Sequence, residues 1–170
     1  MFLCDNLTHT IVMQNLTQAT TAKDCINDLL SQGNKDELVK LARMIGSVVA
    51  KMHKSGLIHG DITTSNILVE NSDSGYSLVM IDFGLSSLVS RIGEERCQMR
   101  LFYFQEGTAE DKGVDLYVLE RALLSTHPDT EWLFQEMIDT YRGQYGKHVG
   151  EIVKKFEDIR LRGRKRTMLG

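Results

Sequence analysis

Along the chain, apolar positions follow the helical repeat far more than strict alternation. The clearest case follows Asn34 and Glu37, which have the spacing of a capping box. Leu38, Leu41, Ala42, Ile45, Val48, Val49 and Met52 then recur over four turns, and Gly56 fits the position after the last turn. His53, at the end of this helix, reads as a capping or surface residue. A shorter helix is expected from Ala22 to Leu30, stopping near Gly33. Val114 to Leu124 is apolar nearly all round, which predicts a helix buried on most faces, ended by His127-Pro128. A further helix, capped by Asp129 or Thr130, turns Leu133, Phe134, Met137, Ile138 and Tyr141 inward. The last one uses Val149, Ile152, Val153, Phe156 and Ile159.

Strand signals are short. Phe2-Leu3-Cys4 and Ile11-Val12-Met13 flank the turn residues Asp5-Asn6, which predicts a small hairpin. Ile67 to Val69 and Leu78 to Ile81 flank Asn71-Ser72-Asp73-Ser74-Gly75, which predicts another. Thr17 to Thr21 reads as loop. Met99-Arg100-Leu101-Phe102-Tyr103-Phe104 has strand character, either buried or forming an exposed, sticky insertion.

Composition narrows the class. With 170 residues, 42% of them hydrophobic and 25% charged, the chain can build one domain with a core. A net charge of −3 argues against general nucleic-acid binding, and no apolar run is long enough to span a bilayer. No signal peptide is expected. Cys4, Cys25 and Cys97 form no Cys-x-x-Cys pair, which argues against a zinc site or a disulfide framework and for a reducing compartment, cytoplasm or nucleus. The charge is unevenly spread. Arg160, Arg162, Arg164, Lys165 and Arg166 form a run without acids, a common footprint of a partner or nucleic-acid contact. Gly163 is expected to interrupt the helix there and free the basic tail.

The chemistry lies in His59-Gly60-Asp61-Ile62-Thr63-Thr64-Ser65-Asn66 and Ile81-Asp82-Phe83-Gly84. Asp61 and Asn66 have the spacing of the protein-kinase catalytic loop, with Gly60 where arginine is usual. On that spacing Asp61 accepts a proton from an attacking hydroxyl, while Asn66 and Asp82 reach a magnesium ion that bridges phosphates. The second hairpin sets Asn66 before one strand and Asp82 after the other, on one edge.

With Glu110-Asp111-Lys112-Gly113-Val114-Asp115-Leu116-Tyr117 and the basic run ending Met168-Leu169-Gly170, these stretches resemble the small atypical kinases of the KEOPS/EKC complex, called PRPK in animals. The resemblance implies an α+β, protein-kinase-like fold, mostly the helical carboxyl-terminal lobe. Residues 1–16 would be a remnant of the amino-terminal lobe and hinge, 17–159 the larger lobe with an atypical insertion at 91–107, and 160–170 a basic tail. It implies ATP and Mg2+ as cofactors and serine/threonine kinase or ATPase activity, with a protein substrate as one option for the kinase. It also implies work in the complex that makes threonylcarbamoyl-adenosine in tRNA, with the complex's metal-dependent ATPase-like subunit as chief partner, and a cytoplasmic and nuclear location.

Carried over by position, Asp61 is the base and Asn66 and Asp82 the metal ligands. His59 and Asp115 support the loop, and Met13, Gln14 and Leu16 lie against adenine. Arg162, Arg164, Lys165 and Arg166 would contact tRNA or a partner. Two departures stand out. The residues before Leu57 hold no Gly-rich loop or phosphate-pairing lysine, and the insertion separates Asp-Phe-Gly from Asp-Lys-Gly-Val-Asp. An interaction module without turnover, or a small-molecule phosphotransferase of the aminoglycoside type, are the competing classes.

Overall fold

The computed structural model describes residues 3–5, 7–72, 75–88 and 108–167. Strands β1 (Leu3–Asp5) and β2 (Thr10–Val12) form an antiparallel hairpin. The Asp5 carboxylate closes its turn by accepting from the Leu7 N–H at 2.9 Å and the Thr8 hydroxyl at 2.7 Å. Every residue of β2 is exposed. β3 (Thr20–Thr21) leads into α1 (Ala22–Ser31), whose cap is the Thr21 hydroxyl accepting from the Asp24 N–H. α2 (Lys35–Lys54) follows, capped by Asn34 as its sequence predicts.

After α2 the chain runs through β4 (Leu57–Ile58), a 3-10 turn (Thr64–Asn66), β5 (Ile67–Ser72), β6 (Gly75–Met80) and β7 (Ser87–Leu88). α3 (Ala109–Thr126), α4 (Glu131–Tyr145) and α5 (Val149–Thr167) complete the lobe. The order β3-β5-β6 makes one antiparallel sheet, and β4 pairs with β7 in another. The expected insertion at 91–107, with its aromatic run, lies outside the described residues.

The core sits where α2 crosses α4. Leu38, Leu41, Ala42, Ile45 and Val49 of α2 meet Leu133, Phe134, Met137 and Ile138 of α4, all buried. Each large side chain so buried contributes about 1.5–3 kcal/mol. The helices approach closely because Gly46 faces the Met137 backbone, and a Cβ there would overlap the Met137 carbonyl oxygen. α3 packs on α5 in a more polar way. Buried Glu120 pairs with Arg160 at 2.8 Å, and Glu110 pairs with Lys155 and Arg162, each at 3.3 Å.

Two expectations are overturned here. Gly163 does not end the last helix: α5 continues to Thr167. Glycine stands there because Tyr117 of α3 lies against it, and a Cβ would overlap the Tyr117 hydroxyl. The basic run is therefore helical through Arg166 and not a free tail, and two of its bases, Arg160 and Arg162, are already paired. His53 is neither cap nor surface residue. It is 1% exposed, because it extends the Ile45–Val49 stripe by one more turn into the core.

Candidate active site

The two motif loops are clamped to each other at both ends. Ile58 opposes Ser87 in the β4–β7 pair, and Ile67 opposes Met80 in β5–β6. Residues 59–66 and 81–86 therefore run side by side. The Ile81 N–H donates to the Asn66 carbonyl at 3.0 Å, and His59 Nε2 lies 3.0 Å from the Ile81 carbonyl oxygen. A carbonyl only accepts, so Nε2 carries the hydrogen. The His59 ring packs on Phe83, with centroids 4.7 Å apart. Its Nδ1 is buried and has no partner among the described residues.

Beneath the loop stands Asp115, fully buried on α3. Its Oδ2 accepts from the His59 N–H and its Oδ1 from the Gly60 N–H, both at 2.8 Å. His53 Nε2 lies 3.1 Å from Oδ2, and His53 Nδ1 lies 3.0 Å from the Tyr141 hydroxyl. A buried carboxylate persists only with such a set of donors. His53 is held below its ordinary value of 6.5, chiefly by burial, against the opposing pull of Asp115. The loop also explains Gly60. Its φ is +85°, and a Cβ would overlap the Leu85 carbonyl oxygen. Arginine, usual at this place in the motif, would clash with the neighbouring loop as it runs here.

Asn66 donates from Nδ2 to the Asp61 carbonyl oxygen at 3.0 Å, with Asp61 Oδ2 at 3.5 Å. That leaves Asn66 Oδ1 as the acceptor. Asp82 lies on the adjacent loop in the left-handed region, with φ +62°, a conformation that costs a non-glycine residue. Its Oδ1 is 3.4 Å from the Gly84 N–H. Asp61, Asn66 and Asp82 thus belong to two loops bonded to one another, each supplying hard oxygen donors. Among the described residues no group of three His, Cys, Asp or Glu side chains could hold a metal ion. Magnesium held by one or two side chains plus phosphate oxygens needs no such cage, so Asn66 and Asp82 fit that ion.

The other expected residues lie elsewhere. Met13, Gln14 and Leu16 occupy the coil between β2 and β3. Met13 is 70% exposed and Leu16 half-buried, and among the described residues no hydrogen bond joins them to the two loops. Arg162 is drawn to Glu110, while the side chains of Arg164, Lys165 and Arg166 lie outside the described residues. Sequence reasoning missed His53 and Tyr141. A signal existed for His53: it sits four residues after Val49, on the apolar stripe, where a polar residue needs a buried partner. Among the described residues no helix is long and apolar enough to cross a membrane.

Comparison with known proteins agrees with this geometry. A family model described as "Protein kinase domain" matches residues 3–106, more than half of the chain. The EKC/KEOPS complex subunit Tp53rkb of Mus musculus is 40% identical over 171 residues, covering 100% of this chain and 63% of its own length. An EKC/KEOPS complex subunit of Schizosaccharomyces pombe is 40% identical over 148 residues, covering 87% and 54%. The EKC/KEOPS complex subunit BUD32 of Gibberella zeae is 44% identical over 144 residues, covering 81% and 48%. The chain thus spans about half to two-thirds of the length of these curated relatives. On the match of more than half its residues and on the two interlocked motif loops, the chain belongs to the protein kinase domain family.

Proposed function

We propose that this chain is an ATP-dependent serine/threonine kinase or ATPase subunit of an EKC/KEOPS-type complex. In that complex it supports threonylcarbamoyl-adenosine modification of tRNA, in the cytoplasm and nucleus. The observation that carries the reading is the pair of interlocked loops, with Asp61, Asn66 and Asp82 on one edge and Asp115 bracing them from below. The names of the relatives favour the complex; their activity and partners are carried over here as part of the proposal.

In this reading Asp61 accepts the proton of the attacking hydroxyl. Asn66 Oδ1 and the Asp82 carboxylate hold magnesium, which supplies charge neutralisation for the transferring phosphoryl group. Asp115 and His59 fix the loop so that Asp61 is presented at a set angle, which is where positioning lowers the barrier. Met13, Gln14 and Leu16 would touch adenine. The larger lobe would dock the complex's metal-dependent ATPase-like subunit, and Arg162, Arg164, Lys165 and Arg166 would meet tRNA phosphates.

Nucleotide titration of residues 1–170, with and without magnesium, tests the assignment. Asp82→Ala should abolish the magnesium-dependent part of the affinity. Asp61→Ala should leave affinity intact and lower turnover by roughly 10²–10⁴-fold. Unchanged magnesium dependence in Asp82→Ala, or equal loss of binding and turnover in a folded Asp61→Ala, would sink it.

A second reading, an interaction module without turnover, is favoured by one feature: residues 81–85 are all exposed, as are the residues of β2. Positioning is most of phosphoryl-transfer catalysis, so an uncovered site should turn over slowly. Brisk magnesium-dependent ATP hydrolysis by the folded 170-residue chain would exclude this second reading.

A further inference from the structure

A row of polar groups crosses three helices inside the lobe and ends on the loop. Tyr141 on α4, His53 on α2 and Asp115 on α3 are each no more than 1% exposed. Their order of donation follows from chemistry. The Asp115 carboxylate only accepts, and it already takes the His59 and Gly60 N–H groups. His53 Nε2, 3.1 Å from Oδ2, must therefore carry hydrogen. In the neutral ring Nδ1 is then a lone pair, and it meets the Tyr141 hydroxyl at 3.0 Å, which donates.

The neighbours of His53 pull in opposite directions. From α3 come Asp115, whose charge favours an imidazolium, and Lys112, whose charge opposes it. From α4 come Tyr141, set edge-on to the His53 ring, and Tyr145, which stacks on Tyr141 and takes Lys112 Nζ at 3.1 Å from its hydroxyl. From the loop, the His59 N–H shares Asp115 Oδ2 with His53 Nε2. Burial outweighs the attraction to Asp115 and keeps His53 low, while burial also pushes the Tyr141 hydroxyl up so that it stays an O–H donor.

We infer that Tyr141 is a positioning residue for the loop: its hydroxyl, given to His53 Nδ1, holds His53 as the neutral Nε2–H imidazole and leaves the Asp115 charge to the His59 and Gly60 amides. Without that donor Nδ1 is a bare buried lone pair, and the neutral ring loses the hydrogen bond that favours it over the imidazolium, which Asp115 still holds through Nε2–H. An imidazolium beside Asp115 draws the carboxylate to itself through a charge-assisted bond. The two loop amides then lose part of their acceptor. That this loop is catalytic rests on the phosphotransfer reading above; the relay itself does not, and its test uses no nucleotide.

The experiment is long-range ¹H–¹⁵N correlation of the histidine rings, with amide exchange, on the 170-residue chain. Native His53 is expected to be neutral with hydrogen on Nε2 at pH 7. In Tyr141→Phe its midpoint should rise by about one pH unit, tenfold in proton affinity. Exchange protection of the Gly60 amide should fall severalfold below that midpoint. Adding His53→Gln, whose amide donates to Asp115 and does not titrate, should restore protection and make it independent of pH. A native His53 that is protonated at pH 7, or carries hydrogen on Nδ1, overturns the inference with no variant needed, so a misfolded Phe variant does not shelter it. An unchanged midpoint in folded Tyr141→Phe overturns it as well. So does protection that stays low in the double variant, since the phenol would then act through packing alone.

Discussion

The two loops that carry the site's carboxylates are held in different ways. Residues 59–66 rest on buried groups. Asp115 takes two of their backbone N–H groups, and Ile62 and Thr64 are sealed in the core. Residues 81–86 mostly face solvent and, beyond the Ile81 bonds to Asn66 and His59 and the Phe83 contact with His59, rely on their own turn, with the Ser86 hydroxyl donating to the Phe83 carbonyl at 2.6 Å and the Gly84 N–H reaching Asp82. Asp61 and Asn66 thus stand on a floor anchored in the core, while Asp82, the other metal-ligand candidate, stands on a turn. Local stability tracks buried contacts, so the second loop is the one whose final geometry a bound ligand can set.

The comparison breaks most readily at Asp115. Asp115→Ala strands two loop N–H groups and the His53 Nε2–H without an acceptor, at about 1–3 kcal/mol each. Denaturant unfolding should show a total loss of about 3 kcal/mol or more, and a loss under about 1 kcal/mol would mean that the floor is not rigid.

A second variant probes the core that supports this floor. Gly46→Ala forces α2 from the Met137 backbone and should destabilise by about 1–3 kcal/mol. Gly143→Ala, on α4 with nothing near its added Cβ, should instead stabilise by about 0.5–1 kcal/mol. Equal effects of the two substitutions would show that the helix crossing yields freely.

The smallest effect belongs to the open loop. Leu85 is 72% exposed, and Leu85→Ser should change stability by under about 0.5 kcal/mol. A larger loss would place the Asp-Phe-Gly turn within the cooperative core and erase the contrast.

Much of the rigid side was legible in the sequence. The stripe from Leu38 to Met52, the Asn34 cap, the inward face of α4 and the hairpin that joins the Ile67 and Leu78 stretches follow from short-range patterns. What was not legible depends on distant partners. Gly163 reads as a helix breaker until Tyr117, far back in sequence, is seen lying on it. Gly60 reads as a departure from the motif until Leu85 appears beside it. The β4–β7 pair is two residues long, too short for any alternation to announce it. His53 was readable in principle, because its position on the stripe demands a partner, but Asp115 and Tyr141 could be joined to it only by folding.

The continuation of α5 through Thr167 changes what kind of object the basic end is. As a flexible peptide, the stretch from Arg160 to Arg166 would sample many end-to-end distances, and a ligand would find its charges at a broad distribution of separations. As helix it is a rod, rising about 1.5 Å per residue, with its root pinned by Glu110 and Glu120. A polyanion meeting it encounters backbone positions at fixed spacing and spends no chain entropy in ordering them, but the rod cannot bend to follow a ligand of another shape. Its effective concentration is high at one place and nil elsewhere, so the register between this helix and whatever anion it meets is set by the lobe to which it is fastened.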